Sequence, residues 1–406
     1  MKHKLYCGVG IENGWMAQTD RPGKRLLDVF LQMKHYDRWL EDLRLAKDLG
    51  INAIRYSVPW YISNPRAGRY DWDWIARPIE WLVRNGVTPI IDLIHYGTPT
   101  WMEDGILNDA FPERFAEYAF AFARRFSPGV SHYTPVNEPQ TSASLSGHKG
   151  VWPPYLQGVE GWSRLCLPLA RALVLSSRAL RDAVDQPVLI SADCTFTPSW
   201  REIATAAGQP DLEPRGDDDL LLSFFPASLA YGRIDCDSPL ARCLSRIGFK
   251  DGDFEWFKEH AQTPDIFGFN FYPDPKVVQS GAAEEDLLDF LRRIRLTFDL
   301  PLYITETSSG LDDPAKVRWI ESIGRVFTEA RARGLPLLGV NWWPLFNTIQ
   351  WDFRDNGKPV EECIVPGGWN NGLYVINTEI EGALERVPTK AVSAYKKLAN
   401  TLLSEE

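Results

Sequence analysis

The apolar positions of the chain alternate between strand-like and helix-like patterns from one end to the other. Residues 87–93 form a continuous apolar run of the kind seen in a strand that is buried on both faces. In residues 36–49, apolar side chains recur every three or four positions, which predicts an amphipathic helix ending at Gly50. The predicted strands are residues 5–11, 53–57, 87–93, 133–136, 188–191, 266–270, 302–305 and 337–343. The predicted helices are residues 36–49, 74–84, 162–182, 286–298, 314–333 and 390–403, with one more that starts at Pro112.

Eight strand patterns with helical patterns between them predict an α/β protein, a single (β/α)8 TIM barrel over residues 1–406. Residues 197–216 interrupt the rhythm with several Gly, Pro and Asp residues and are predicted to be irregular. No Pro/Ser-rich linker marks a second domain. The competing architecture is an open, doubly wound sheet, suggested by Gly8-Val-Gly10. The next glycine, Gly14, lies one place too far for a dinucleotide-binding motif, which disfavours this alternative.

Composition narrows the classes of partner. The net charge of −10 argues against a nucleic-acid partner, because phosphate binding requires clustered Lys and Arg. Apolar runs are too short to span a membrane, and no signal-peptide pattern follows Met1. The six cysteines have no metal-binding spacing, and no HExxH motif occurs, so neither a metal nor a cofactor is expected. Reduced thiols and the missing signal pattern predict a cytoplasmic protein.

Two short segments carry the candidate chemistry: Thr134-Pro-Val-Asn-Glu-Pro139 and Tyr303-Ile-Thr-Glu-Thr307. Each follows a strand pattern and places a glutamate, Glu138 or Glu306, at the strand's end. The carboxyl ends of parallel barrel strands gather at one face, so the two glutamates can meet there. Paired carboxyl groups are what cleavage of a glycosidic bond requires, one as proton donor and the other ionised.

Other polar and aromatic side chains also fall at predicted strand ends. The polar ones are Glu12, Arg55, His95, Asn137, Asn270, Tyr272 and Gln350. The tryptophans in such positions are Trp60, Trp101, Trp152, Trp342, Trp343 and Trp351. Flat indole faces stack on the C–H faces of sugar rings, so a small carbohydrate is the expected ligand.

These segments, in their order, resemble glycoside hydrolase family 1, the β-glucosidase family. Asn137-Glu-Pro139 and Ile304-Thr-Glu306 resemble the family's NEP and ITENG motifs, although Thr307 and Ser308 replace the Asn-Gly. The further matching segments are Arg55-Tyr-Ser-Val-Pro-Trp60 (family RFSISW), His95-Tyr-Gly-Thr-Pro-Thr-Trp101 (HWDLPQW), Gly268-Phe-Asn-Phe-Tyr272 (GINYY) and Trp343-Pro-Leu-Phe-Asn-Thr-Ile-Gln-Trp351 (WSLLDNFEW). The resemblance implies a retaining exo-β-glycosidase that acts by double displacement through a covalent glycosyl-enzyme.

The resemblance also implies a role for each matched residue. Glu306 would be the nucleophile and Glu138 the acid/base. Four residues would support them: Arg55 by keeping Glu306 ionised, Tyr272 by a hydrogen bond to Glu306, Asn137 by contacting the sugar 2-OH, and Asn270. The substrate-binding set would be His95, Trp343, Gln350, Trp351, Glu12 and Trp101.

Two departures from the family pattern leave the substrate open. Gln350 stands where the family has a glutamate that binds outer sugar hydroxyls, and Glu12 is nearest to the family's first-strand glutamine. An endo-β-glycanase or a transglycosidase on the same barrel remains an alternative. A non-catalytic sugar-binding relative is a third, although both carboxylates are present.

Overall fold

The computed structural model describes residues 4–18, 25–195, 198–309, 312–347, 370–377 and 384–404. Eight parallel strands form its centre and are numbered here in chain order. They are β1 (Tyr6–Ile11), β2 (Ala53–Ser57), β3 (Thr88–Asp92), β4 (His132–Thr134), β5 (Val188–Leu189), β6 (Phe267–Phe271), β7 (Leu302–Thr307) and β8 (Leu337–Trp342). All eight lie within a residue or two of predicted strands.

The strands close into a barrel. Their order is β5-β4-β3-β2-β1-β8-β7-β6, so β5 and β6 are the two ends of the hydrogen-bonded ladder. Ile190, just after β5, pairs in parallel with Ile266, just before β6. The Ile266 amide donates to the Leu189 carbonyl at 3.1 Å, and the Ser191 amide donates to the Ile266 carbonyl at 3.2 Å. These bonds complete the ring and confirm the predicted (β/α)8 TIM barrel.

The barrel interior changes from apolar to charged along the strands. An inner cluster near the amino-terminal ends consists of Tyr6, Ala53, Ile90, Ile190, Ile266, Tyr303 and Leu338. Side chains alternate between the two faces of a strand, so the next inward positions after Ala53 and Ile90 are Arg55 and Asp92. The apolar layer therefore supports a layer of charged groups at the carboxyl-terminal ends.

Helices surround the strands and follow each of them. Those that correspond to predictions are His35–Lys47, Asp73–Arg84, Phe111–Phe126, Gly158–Ala183, Ala282–Phe298, Asp313–Ala332 and Ala391–Leu403. Helix Phe111–Phe126 shows why they form: Phe115, Tyr118, Phe122 and Phe126 share one face and are all buried. Burial of each such ring contributes roughly 1.5–3 kcal/mol. None of the helices in the described ranges is long and apolar enough to cross a bilayer.

The prediction of irregular structure over residues 197–216 is wrong. Helix Trp200–Ala206 lies within it and begins with a capping box, in which the Ser199 and Glu202 side chains bond to each other's backbone amides. The helix is short and the Gly and Pro residues beyond it dominate the local composition, which hides the signal. Four more helices between β5 and β6 were not predicted: Asp218–Ser223, Phe225–Ala230, Pro239–Arg246 and Asp251–His260.

Two antiparallel hairpins also lie outside the sequence predictions. Trp15–Gln18 pairs with Arg25–Asp28 after β1, and Tyr374–Asn377 pairs with Glu385–Pro388 before the last helix. Arg386 anchors the second hairpin, because its guanidinium bonds to both oxygens of the buried Asp42 at 2.8 and 3.1 Å. Both hairpins are additions to the alternating strand–helix order.

Candidate active site

Glu138 and Glu306 lie together at the carboxyl-terminal mouth of the barrel. Glu138 is 5% exposed and Glu306 is 3% exposed, so each carboxyl group is nearly enclosed. Asn270 joins them, because it stands opposite Glu306 in the β6–β7 ladder and donates from Nδ2 to Glu138 Oε1 at 2.8 Å. This arrangement is consistent with the sequence prediction that the two glutamates share one site.

A β-bulge turns Glu306 towards the barrel interior. Tyr303 faces inward, Ile304 faces the helices, and the Thr305 hydroxyl faces inward to donate to Asn270 Oδ1 at 2.7 Å. Regular alternation would then send Glu306 outward. The pairing of β7 with each of its neighbours, β6 and β8, shifts register at Thr305–Glu306, so β7 has one extra residue there. Such bulges re-aim side chains beside active sites.

Glu138 is aimed by an unusual backbone conformation. It follows β4 by four residues and has φ 42° and ψ 59°, in the left-handed region. Its amide donates to the Ala192 carbonyl at 2.7 Å, and the preceding Asn137 amide donates to the Ile94 carbonyl at 3.0 Å. These bonds to the loops after β5 and β3 hold a conformation that costs a non-glycine residue roughly 1–2 kcal/mol.

Arg55 connects four acidic or amide side chains beneath the mouth. It is fully buried; Nη1 donates to Glu306 and, at 3.2 Å, to Glu12. Its Nη2 donates to Asn137 Oδ1 at 2.5 Å and to Asp92 Oδ2 at 3.3 Å. One guanidinium thus faces three carboxylates, which leaves this part of the barrel rich in negative charge.

The two candidate carboxylates have different partners. Glu306 receives hydrogen bonds from the Arg55 cation and from the Tyr272 hydroxyl at 2.6 Å. Glu138 receives them from neutral groups, the Asn270 amide and the Tyr96 hydroxyl. The ring of Tyr272 lies at the rim, where it is 37% exposed, while its hydroxyl reaches inward.

Burial controls the electrostatics of these groups. Burial raises the pKa of Glu306 above its ordinary value. The charge of Arg55 lowers this pKa, the charge of Glu138 raises it, and His95 and the hydrogen bond from Tyr272 lower it. Burial likewise raises the pKa of Glu12 well above its ordinary value, against the opposing charge of Arg55. Arg55 therefore favours the ionised Glu306, but burial outweighs it, and the role of Arg55 in keeping Glu306 ionised stays a prediction.

Comparisons with known proteins show which enzymes the chain is similar to. The model of the family described as Glycosyl hydrolase family 1 matches residues 18–179. Beta-glucosidase A of Thermotoga maritima is 23% identical over 354 residues, covering 78% of each chain. A 1,4-beta-D-glucan glucohydrolase of Thermotoga neapolitana is 28% identical over 350 residues, covering 78% of this chain and 82% of that protein. A solved β-glucosidase from Thermotoga maritima in complex with glucoimidazole has a TM-score of 0.75 at 17% identity over 98% of both chains, which shows the shared fold.

The chain is similar to glycoside hydrolase family 1, through the family model over residues 18–179 and through these relatives. It is accordingly a glycoside hydrolase, as the resemblance of its motifs implied.

The predicted substrate-binding residues of this glycoside hydrolase differ in their surroundings. His95 Nδ1 bonds to Asp92 Oδ2 at 2.7 Å, and His95 Nε2 lies 3.5 Å from Asn137 Nδ2. Trp343 is 6% exposed and meets the Tyr272 ring edge-on, with ring centroids 6.0 Å apart. Both therefore adjoin the carboxylate pair, and their contact with sugar stays a prediction.

The remaining predicted binding residues are less central. The indole N–H of Trp101 donates to the Asn64 carbonyl at 2.7 Å, so the polar edge of this ring bonds to the protein backbone. Glu12 is enclosed against Arg55, with no exposed side-chain surface. Gln350 and Trp351 lie outside the described residues. Among the residues that are described, no group of three His, Cys, Asp or Glu side chains is placed to hold a metal ion.

Two residues of the candidate site, Asp92 and Tyr96, were not predicted from the sequence. Asp92 is the last residue of β3 and accepts from both His95 and Arg55, a position at a strand end that could have been noticed. Tyr96 follows His95 in the matched segment and reaches Glu138. Its role could not be found from the sequence, because its φ of 78° is not visible there.

Proposed function

We propose that the protein is a retaining β-glycosidase of β-glucosidase type that acts by double displacement. One observation carries the assignment of roles: a cation is bonded to Glu306, whereas neutral donors are bonded to Glu138. A nucleophile must stay ionised, which a neighbouring guanidinium favours. An acid/base must gain and lose a proton in each cycle, which is easiest without a fixed cation on its oxygens.

In the first step, Glu306 attacks the anomeric carbon while Glu138 gives its proton to the departing glycosidic oxygen. In the second step, Glu138 takes a proton from water, which displaces Glu306 from the sugar. Asn270 and Tyr272 hold the two carboxyl groups in place through the bonds described above. Asn137, fixed by Arg55, and His95, fixed by Asp92, would bind sugar hydroxyls.

Exo action on β-glucosides is the proposed specificity. It rests on the relatives, which are a β-glucosidase and a glucan glucohydrolase. Product analysis on a short cello-oligosaccharide tests it: glucose should be released first. Shorter oligosaccharides without free glucose would favour the endo-β-glycanase instead. We further propose that residues 1–406 work as one catalytic unit, since one barrel supplies both carboxylates. The cytoplasmic location expected from the sequence stays a prediction.

Trapping of the covalent intermediate tests the mechanism. Incubation with a 2-deoxy-2-fluoro-β-glucosyl fluoride should add one fluoroglucosyl unit per chain, because the 2-fluorine slows both steps while the fluoride leaving group keeps formation of the intermediate fast. Peptide mapping by mass spectrometry should place the label on Glu306. Glu306→Gln treated alike should stay unlabelled. A label on another residue, or none with any glycosyl fluoride, would contradict the proposal.

The acid limb of the pH–rate profile reports Glu306. Activity requires the ionised form, so the rate falls as the pH drops through the pKa of Glu306, which burial places above its ordinary 4.5. Tyr272→Phe removes a donor to that carboxylate, so the pKa of Glu306 should rise further. We expect the acid limb of kcat/KM to move up by about 0.5–1 pH unit, the equivalent of one hydrogen bond. An unmoved acid limb would show that Tyr272 does not stabilise the ionised nucleophile.

A further inference from the structure

Tyr96 makes a contact that neither the sequence motifs nor the family comparison assigns. Its hydroxyl donates to Glu138 Oε2, the carboxyl oxygen that Asn270 leaves open. In the matched segment, His95-Tyr-Gly-Thr-Pro-Thr-Trp101 resembles HWDLPQW, so this chain has a phenol where the family pattern has an indole. An indole N–H can only donate a hydrogen bond, whereas a phenol can donate or accept.

The fold fixes Tyr96 in this position. Its ring packs edge-on against His95, with centroids 4.6 Å apart, and at a tilt against Trp152, with centroids 4.7 Å apart. Its backbone has φ 78°, a left-handed conformation that costs a non-glycine residue roughly 1–3 kcal/mol. Such cost at the edge of a site points to a function for the side chain it directs.

The two side chains that donate hydrogen bonds to Glu138 differ in whether they can also accept one. The Asn270 Nδ2 group only donates, and its Oδ1 is already used by the Thr305 hydroxyl, so Oε1 remains an acceptor throughout. Oε2 faces a hydroxyl that donates to the ionised carboxylate and accepts from the protonated one. Of the two carboxyl oxygens, Oε2 is therefore the one on which a proton meets an acceptor.

We propose that Tyr96 is a positioning residue for the acid/base, holding the proton of Glu138 on Oε2 and stabilising the ionised carboxylate after each proton transfer. This inference rests on the proposed acid/base role of Glu138. No new covalent step is involved: the proton passes from Oε2 to the leaving oxygen and returns from water, while the Tyr96 hydroxyl reverses its hydrogen bond.

Other titratable groups also face Glu138. Asp193 and Cys194, in the loop after β5, interact with it electrostatically, Cys194 also through a side-chain hydrogen bond, and burial raises the pKa of both well above their ordinary values. Glu306 on β7 and Tyr272 after β6 complete the set. Among these, Tyr272 bonds to Glu306 and provides a matched comparison for Tyr96, because each hydroxyl serves a different carboxylate.

The test compares Tyr96→Phe with Tyr272→Phe in full pH profiles of kcat/KM on an aryl β-glucoside. Loss of the Tyr96 hydroxyl removes a donor to the ionised Glu138, so the carboxyl should keep its proton to higher pH. The basic limb should move up by about 0.5–1 pH unit and leave the acid limb in place. Tyr272→Phe should move only the acid limb. Tyr96→Phe should therefore widen the bell-shaped pH profile, and Tyr272→Phe should narrow it.

Two further measurements distinguish a failure of the role proposed for Tyr96 from a failure of the proposed function. Replacing Tyr96 with 3-fluorotyrosine gives a stronger donor with the same ring, and should move the basic limb to lower pH. Glu138→Ala should abolish the basic limb; if that limb survives, the proposed function itself fails. The role of Tyr96 is refuted if the basic limb is lost in Glu138→Ala but is not moved by either Tyr96 variant. It is also refuted if Tyr96→Phe lowers the rate equally at every pH.

Discussion

Replacing Glu306 with Gln should lower kcat for an aryl β-glucoside by roughly 10⁵-fold, the scale of loss when a covalent nucleophile is removed. The amide has the same shape but cannot attack the anomeric carbon, and it cannot balance the charge of Arg55, which bonds to this side chain. Steady-state kinetics with an activated nitrophenyl substrate measures the loss. Circular dichroism and thermal unfolding should show that the variant is folded.

Glu12→Gln is the matched control for this variant. Glu12 is equally enclosed and bonds to the same guanidinium nitrogen of Arg55, so it reports what disturbance of the charge network alone does. We expect a change within about tenfold, the equivalent of roughly one hydrogen bond. Glu306→Gln activity close to that of wild type would remove Glu306 from the mechanism. Equal losses in the two variants would show that the network, and not the nucleophile, was probed.

Replacing Glu138 with Ala should slow hydrolysis of unactivated β-glucosides by about 10²–10⁴-fold, because the leaving oxygen loses its proton donor. A dinitrophenyl leaving group needs no proton, so its first step should remain fast and the glycosyl-enzyme should accumulate. Azide needs no general base and fits the space left by the side chain. We therefore expect azide to restore turnover and to give a glucosyl azide with retained β configuration.

Configuration and specificity of the rescue distinguish the roles of the two carboxylates. Azide with Glu306→Ala would give an α-configured product, since attack would come directly on the substrate from the opposite face. Tyr272→Phe, which keeps both carboxylates, should show no azide effect. Failure of azide to rescue Glu138→Ala on every hydrolysable substrate would contradict the acid/base assignment.

Local patterns in the chain were sufficient to predict the strands and to place the two glutamates at strand ends. Strand β2 was predicted with its observed bounds, because alternation over five residues and the flanking breaks are local signals. The region between β5 and β6 was not predictable in the same way. Its short helices, such as Phe225–Ala230, are stabilised by burial against the barrel more than by their own sequence.

The sequence by itself determined the barrel, the two carboxylates at its mouth and the presence of Arg55 among them, since parallel strands bring their carboxyl-terminal ends together at one end of a barrel. Only the tertiary structure decided how those groups are aimed. Strict alternation sends Glu306 outward, and the bulge at Thr305–Glu306 reverses it. The left-handed backbone of Glu138 is held by a hydrogen bond to the loop after β5, and the Tyr96 ring packs against the distant Trp152; no local pattern encodes such contacts.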